Sequence, residues 1–342
     1  MRFQDEPAVE QDQGPCVGVL LVNLGTPQAP ATAAVRHYLA EFLSDPRVVE
    51  WPRLLWLLIL HGVILRTRPA RSAAKYAKVW TADGSPLAVW SARQAVLLRG
   101  YLGELGAKVH VRAAMRYGQP SIASGLDELK ARGCQHILIL PLYPQYAAST
   151  TASAVDAVSA WAARQRRLPE LRLVNQFHDD AGYIAALAAR IRGYWQEHGR
   201  PDHLVMSFHG LPERAARLGD PYPEQCRQTA RLLAARLELE ESRWQLAFQS
   251  RMGRARWLEP ATQPTLERLA RQGASRVDVA CPGFVSDCLE TLEEIGLQAR
   301  AAFQAAGGRE LHAVPCLNDS PAWIAALTQI AQRHLQGWPV EG

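Results

Sequence analysis

HLVMSFHGLP, residues 203–212, begins as a near-continuous apolar run and ends in a His-Gly turn closed by Pro212. CVGVLLVNLGTP, residues 16–27, follows the same plan, an unbroken Val/Leu run followed by Asn23, Leu24, Gly25, Thr26 and Pro27. Strands with one wet face alternate apolar and polar residues, whereas runs without alternation are what strands covered on both faces look like. Further runs of this kind lie at 108–115, 136–142, 171–177, 244–249, 276–280 and 311–316. Between them come longer patterns with apolar residues at helical spacing, such as 223–238 and 286–306. The alternation predicts a doubly wound α/β protein with parallel sheets.

The strands are compatible with one large sheet or two smaller ones, and 342 residues suit two domains of ordinary size. The stretch 147–169 carries a helical pattern and then Arg164, Arg166, Arg167 and Pro169, which reads as the crossover between domains. A boundary near Val155 gives domains over 15–155 and 156–312, with a closing segment over 313–336. No fixed-period repeat is visible.

Composition narrows the class. With 48% hydrophobic and 21% charged residues, the chain is globular rather than disordered, collagenous or coiled-coil. A net charge of +5 on so large a chain does not indicate a nucleic-acid binder. The 6 cysteines are scattered with no CxxC pair, which argues against a zinc ribbon, a thioredoxin-like site or a disulfide framework and fits a reducing cytoplasm. Residues 1–14 are polar and acidic with no apolar core, so they are expected to be a short disordered tail and not a signal peptide or anchor.

The most apolar stretch, LLWLLILHGVIL at 54–65, is broken by His61 and Gly62 and bracketed by Arg53, Arg66 and Arg68. A spanning helix needs about 20 apolar residues, so this stretch is too short to cross a bilayer. It is either a buried core helix or an exposed apolar lip over 51–68. The basic residues continuing through Arg71, Lys75 and Lys78 favour the lip, with Trp51, Leu54, Trp56, Leu57 and Leu58 facing a hydrophobic ligand or an acyl boundary.

In an open parallel sheet the ligand lies beyond the carboxyl ends of the strands, so the residues just after each run are the candidates. They include Leu24, Arg116, Tyr117, Tyr146, Ser207, His209, Phe284 and, after the sixth run, Gln249, Ser250 and Arg251, with the neighbouring Trp257. There is no GxGxxG after the first strand, no GxxxxGK[ST], no HExxH and no GxSxG, so nucleotide, zincin and α/β-hydrolase chemistry lack their defining parts.

Taken together, LLVNLGTP (20–27), PLYPQY (141–146), SFHGLP (207–212), GDPYP (219–223), FQSRMG (248–253), WLEP (257–260) and CPGFVSDCLETLEEI (281–295) resemble the ferrochelatases over about 16–332. These enzymes insert ferrous iron (Fe2+) into protoporphyrin IX in the last step of haem synthesis. The resemblance implies two similar Rossmann-like α/β domains, each with a four-stranded parallel sheet, an active-site cleft between them, and a terminal helix at 320–335 returning to the first domain. It also implies protoporphyrin IX and ferrous iron as the partners, with Fe2+ a substrate and no permanently bound cofactor.

Metallating a porphyrin requires stripping water from a divalent ion and removing two protons from pyrrole nitrogens. A neutral imidazole is a competent base near pH 7 and a good ligand for a borderline metal, and His209 sits at a strand end suited to either task. On the helix after Phe284, Asp287, Glu290 and Glu294 are spaced i, i+3 and i+7, which places them along one face. Such a ridge is a solvated helix face in many proteins, but the resemblance pairs Glu290 with His209 in metal binding or proton transfer and adds Glu294 as a metal residue. Which of His209 and Glu290 takes the pyrrole proton stays open. Tyr146 and Trp257 offer flat apolar surface to a macrocycle. Arg116 is suited to a propionate or to the site's hydrogen bonds.

Some positions depart from the family. Leu24 stands where Tyr or Met is frequent, and Leu cannot ligate iron. Gly118 and Gln119 follow Tyr117 where some members carry a histidine. Members with a 2Fe-2S cluster hold it on thiolates near a C-terminal extension, whereas this chain has no cysteine beyond Cys316 and carries Ala148 at one ligand position; no cluster is expected. The alternatives are a chelatase for coproporphyrin or another tetrapyrrole and a non-catalytic porphyrin or haem carrier. The long lip favours protoporphyrin, with its apolar vinyl groups, and a base facing an acid favours turnover. The expected setting is the cytoplasm, with peripheral contact at the inner face of the membrane and contact with the neighbouring enzymes of haem synthesis.

Overall fold

A computed structural model of the chain describes residues 5–6, 16–104, 108–251, 253 and 255–340. The tail expected over 1–14 therefore lies outside the described residues, except for Asp5 and Glu6. The strands are β1 (Cys16–Gly25), β2 (Val109–Tyr117), β3 (Cys134–Pro141), β4 (Glu170–Leu173), β5 (His203–His209), β6 (Trp244–Gln249), β7 (Arg276–Ala280) and β8 (Glu310–Ala313). The helices are α1 (Thr32–Leu43), α2 (Arg53–Ile59), α3 (Leu65–Val79), α4 (Pro86–Glu104), α5 (Ile122–Ala131) and α6 (Ser153–Ala162). They continue as α7 (Ala181–His198), α8 (Glu213–Arg217), α9 (Tyr222–Arg236), α10 (Thr262–Arg271), α11 (Arg300–Ala305) and α12 (Pro321–Leu335). Segments Leu60–Ile64, Ala148–Ala152 and Glu290–Ala299 are π-helical.

The strands form two four-stranded parallel sheets, in the orders β2-β1-β3-β4 and β6-β5-β7-β8. β1 and β5 are the equivalent central strands. Val17 and Val19 to Val22 are buried because β1 is paired on both edges and covered on both faces, and Leu204 to Phe208 are buried in β5 for the same reason. Behind β1 lie Ile122, Leu126, Val158 and Trp161; behind β5 and β7 lie Leu266, Ile295 and Phe303.

The two sheets repeat one plan in detail. Asn23-Leu24-Gly25-Thr26-Pro27 ends β1 where Phe208-His209-Gly210-Leu211-Pro212 ends β5. Met115 N donates to Pro120 O at 2.7 Å and Phe248 N to Pro260 O at 2.8 Å, each closing the turn before a helix. Val174 N donates to Ile139 O at 2.9 Å and Val314 N to Val279 O at 2.8 Å. The period is hidden in the sequence because four helices separate β1 from β2, whereas α8, α9 and a single helical turn separate β5 from β6.

By compactness the chain forms two units. The first holds the described residues of Met1–Leu142, Ala148–Gln176 and Ile324–Gly342; the second holds Tyr143–Ala147 and Phe177–Trp323. The change of unit falls at Gln176 and Phe177 and not near Val155, because β4 pairs with β3 through Ile137 and Leu171 and so keeps α6 and β4 with the first sheet. The helix after each sheet's last strand belongs mainly to the other unit: α7 follows β4 but lies in the second, and most of α12 follows β8 but lies in the first.

The apolar stretch at 54–65 is not a core helix. No residue of α2 is buried, and Leu54, Leu58 and Trp51 are 82%, 74% and 57% exposed. Leu54 and Leu58, four residues apart, share one helix face. Leu60 and Leu65 are the buried anchors, while Trp56 is half-buried with its indole N–H donating to Leu43 O at 2.6 Å. Leu57 is also half-buried, so the outward apolar surface is carried by Trp51, Leu54 and Leu58 together with the exposed Leu55 and Val63. Among the described residues, no helix is long and apolar enough to cross a membrane.

Gly25, at φ 118°, is obligatory: a Cβ there would lie 1.8 Å from Tyr117 O. Gly100, inside α4, has open space around it. Gly25→Ala is expected to destabilise the protein by more than about 1 kcal/mol, whereas Gly100→Ala should stabilise it by about 0.5–1 kcal/mol. Urea midpoints at constant m-value check both signs.

Candidate functional site

His209 is the last residue of β5, paired in register with Gln249 of β6. Its Nδ1 lies 2.7 Å from Gly210 O. A carbonyl only accepts, so Nδ1 carries the proton and donates, and in the neutral ring Nε2 holds a free lone pair. Gly210 N donates to Gln249 O at 2.7 Å, and a Cβ on Gly210 would stand 2.6 Å from that oxygen and 3.2 Å from Trp257 Cε3. The close approach thus requires glycine and seats the half-buried Trp257 against the turn. Phe284 stands beside the imidazole, with ring centroids 6.4 Å apart.

Glu290 and Glu294 lie on the π-helix Glu290–Ala299 that follows the loop after β7. A π turn closes i to i+5, so residues four apart come close to the same face. Glu294 feels both His209 and Glu290 electrostatically, which brings the three predicted residues into one neighbourhood of the second unit. Burial pushes the Glu294 carboxyl above its ordinary range, against the opposing pull of two hydrogen bonds from Ser250. Ser250 N donates to Glu294 Oε1 at 2.7 Å and Ser250 Oγ to Oε2 at 2.5 Å. Among the described residues, no three or more His, Cys, Asp or Glu side chains are grouped closely enough to hold a metal ion.

The sequence reading places Gln249 and Ser250 among the strand-end residues but assigns them no role. Gln249 Oε1 accepts from Ser207 Oγ at 2.6 Å, and its Nε2 donates to Glu290 O at 3.1 Å, tying β5 and β6 to the start of the π-helix. The available signal was a Gln-Ser pair closing an apolar strand at the level of His209.

Other expected site residues play different parts. Asp287 does not join an acidic ridge. It is 7% exposed, and its carboxylate accepts from Thr291 Oγ1 at 2.9 Å, Asn318 Nδ2 at 2.7 Å and Cys316 N at 3.3 Å, so it fastens the loop after β7. Ser207 is fully buried between Gln249 and Thr262 and cannot touch a ligand; it braces Gln249. Tyr146 is half-buried, in a short loop grouped with the second unit, and its N–H donates to Gln225 Oε1 at 2.7 Å.

In the first unit, Leu24 occupies the position that His209 holds in the second, half-buried, with its N–H on Asn23 Oδ1 at 2.9 Å. Tyr117 is fully buried and Arg116 half-buried, and both turn to the buried Asp45. Asp45 Oδ2 accepts from Arg116 Nη2 at 2.6 Å, Tyr117 Oη at 2.8 Å and Ser153 Oγ at 2.5 Å. Arg116 Nε also donates to Ser153 O at 2.8 Å. Tyr117 is therefore no ligand contact, and the Arg116 charge is already neutralised by Asp45 and not held for a propionate. Burial pushes the Asp45 carboxyl up, but the bonds from Ser153, Arg47 N and Tyr117, with the Arg116 charge, hold it below its ordinary range.

A carboxyl whose folded pKa is depressed contributes stability above its unfolded value, near 3.9, and loses it as pH falls through the folded value. Asp45→Asn should therefore cost stability at pH 7, and the gap to wild type should shrink as pH falls below about 4. Urea titrations at both pH values read the difference.

The Ferrochelatase family model matches residues 16–335. A ferrochelatase of Methylibium petroleiphilum is 63% identical over 341 residues, covering 100% of this chain and 94% of the relative. A ferrochelatase of Bordetella pertussis is 57% identical, covering 96% of this chain and 92% of its own. Among solved structures, SirB from Bacillus subtilis with Fe3+ superposes with a TM-score of 0.55 at 12% identity, over 93% of this chain and 95% of that one. The sirohydrochlorin chelatase SirB of B. subtilis subspecies spizizenii in complex with cobalt gives 0.51 at 11% identity, over 95% and 98%. At such identities these two structures bear on the fold, two parallel-sheet domains of chelatase type. The match along nearly the whole chain and the high identity to its relatives place this protein in the ferrochelatase family, enzymes that insert ferrous iron into protoporphyrin in haem synthesis.

Proposed function

We propose that His209 and the π-helix carboxylates of Glu290 and Glu294 carry the metal-insertion chemistry, with protoporphyrin IX as the porphyrin. The supporting observation is the His209 imidazole, whose Nδ1–H is tied to Gly210 O and whose Nε2 lone pair is left to take a proton or a metal. Insertion releases two pyrrole protons as the metal's two charges enter the ring, so a base and an anionic acceptor in one neighbourhood meet both needs. Phe284 and Trp257, packed beside the His209–Gly210 turn, supply flat apolar surface for the macrocycle. No resident cofactor takes part. Burial pushes the Cys281, Cys288 and Cys316 thiols well above the ordinary range, which makes them poor thiolate ligands for a cluster.

His209→Ala should abolish insertion of Fe2+ or Zn2+ into protoporphyrin, read as loss of porphyrin fluorescence change, while porphyrin binding stays within a few-fold. Glu290→Gln should lower turnover by at least about a hundredfold, since an amide can neither take a proton nor hold a cation as a carboxylate does. More than a tenth of wild-type turnover in His209→Ala would overturn the assignment. A wild-type protein that binds protoporphyrin but never metallates it would be a carrier, and preferential turnover of coproporphyrin would move the substrate.

The lip supports a cytoplasmic enzyme attached peripherally to the inner membrane face. Trp51, Leu54 and Leu58 are exposed, and Arg53, Arg66, Arg71, Lys75 and Lys78 are exposed around and beyond them. Each basic residue near an anionic surface contributes about 1 kcal/mol, so a few of them with inserted apolar side chains give reversible, salt-sensitive binding. Leu54→Ser with Leu58→Ser should weaken binding to anionic liposomes and raise KM for membrane-presented porphyrin, with kcat and melting temperature little changed. A fall in melting temperature with unaltered liposome binding would show that the lip is structural.

A further inference from the structure

Two consecutive residues at the end of β6 grip two π-helix residues that lie four apart. Gln249 holds the backbone, its Nε2 on Glu290 O at 3.1 Å. Ser250 holds a side chain, its N–H on one Glu294 oxygen at 2.7 Å and its hydroxyl on the other at 2.5 Å. Ser250 does this at φ 65°, in the left-handed region that disfavours any residue with a Cβ. Glycine would fit that backbone without strain and would keep the N–H bond; only the hydroxyl bond requires serine. The Gln249 bond already ties the π-helix to β6, so the second grip adds a fixed carboxylate, not an attachment.

We propose that Ser250 is a positioning residue for Glu294, clamping both carboxylate oxygens in one orientation while leaving each a lone pair for an incoming divalent cation. An ionised carboxylate offers about four acceptor sites, and two donors leave it unsatisfied and able to bind. A carboxylate held this way cannot swing to wrap the ion with both oxygens freely, which suits a stop the metal must leave. Pre-ordering its torsions also removes an entropy cost from each capture of the ion. The proposal rests on the reading of Glu294 as a metal-contacting group.

Steady-state insertion assays on the full chain, with Zn2+ and protoporphyrin varied separately, compare wild type, Ser250→Gly, Glu294→Gln and the double variant. Ser250→Gly should raise KM for the metal about threefold to tenfold, the range set by the net contribution of one typical hydrogen bond. KM for porphyrin should stay within about twofold and the melting temperature should not fall, since glycine suits the backbone. In the Glu294→Gln background, Ser250→Gly should add nothing. An unchanged metal KM in Ser250→Gly, a parallel rise in both KM values, or a full additional effect in the double variant would overturn the proposal. If Glu294→Gln itself left the metal KM unchanged, the reading of Glu294 would fail instead.

Discussion

The Gly210 amide donates to the Gln249 carbonyl at 2.7 Å, and this contact between the ends of β5 and β6 carries the rest of the site. It is possible only because residue 210 has no Cβ. The same glycine's carbonyl accepts a hydrogen bond from His209 Nδ1–H and so decides which ring nitrogen is left bare. Gln249, held at that level, reaches with its amide to the first carbonyl of the π-helix, and Ser250 reaches one residue further to Glu294. Imidazole and carboxylates are thus referred to one pair of strand ends, held in register by the pairing of β5 with β6 up to His209 and Gln249.

The two sheets share one plan, yet their strand ends have diverged in chemistry. In the second unit the strand-end polar groups leave His209 Nε2 and the Glu294 lone pairs available. In the first unit the corresponding region is closed on itself. Leu24 stands in place of the histidine, and the Asp45 carboxylate takes four donors, Arg116, Tyr117 and Ser153 on Oδ2 and Arg47 N on Oδ1. A buried ion pair held by that many donors contributes rigidity rather than reactivity. The first unit has instead elaborated the connection after its central strand, where the exposed lip of α2 lies.

The strands were readable because both-face burial leaves unbroken apolar runs: 244–249 and 276–280 coincide with β6 and β7. The run at 171–177 overshot, because Val174 and Phe177 are buried loop residues and not strand. The strand-end position of His209 was legible from its place between an apolar run and a Gly-Leu-Pro turn. Asp287 was misplaced because a 3.6-residue period was assumed for a segment that is a loop up to Cys288 and π-helical from Glu290. Gln249 and Ser250 stand among the strand-end candidates without a role, because their part lies in hydrogen bonds to residues 41 and 44 positions away, which local pattern does not encode. Arg116 could not be assigned from sequence, since the carboxylate that neutralises it, Asp45, is distant in the chain and unremarkable in composition.

The central claim is that His209 presents a bare Nε2 because Nδ1 is committed to Gly210. Nitrogen-15 NMR of histidine-labelled protein, with the His209 ring assigned by comparison with His209→Asn, reads this directly at a pH where the ring is neutral. The account predicts a protonated Nδ1, a pyridine-type Nε2, and movement of the Nε2 resonance alone among the ring nitrogens on titration with Zn2+. A ring carrying its proton on Nε2, or a metal that perturbs Nδ1 first, would contradict it.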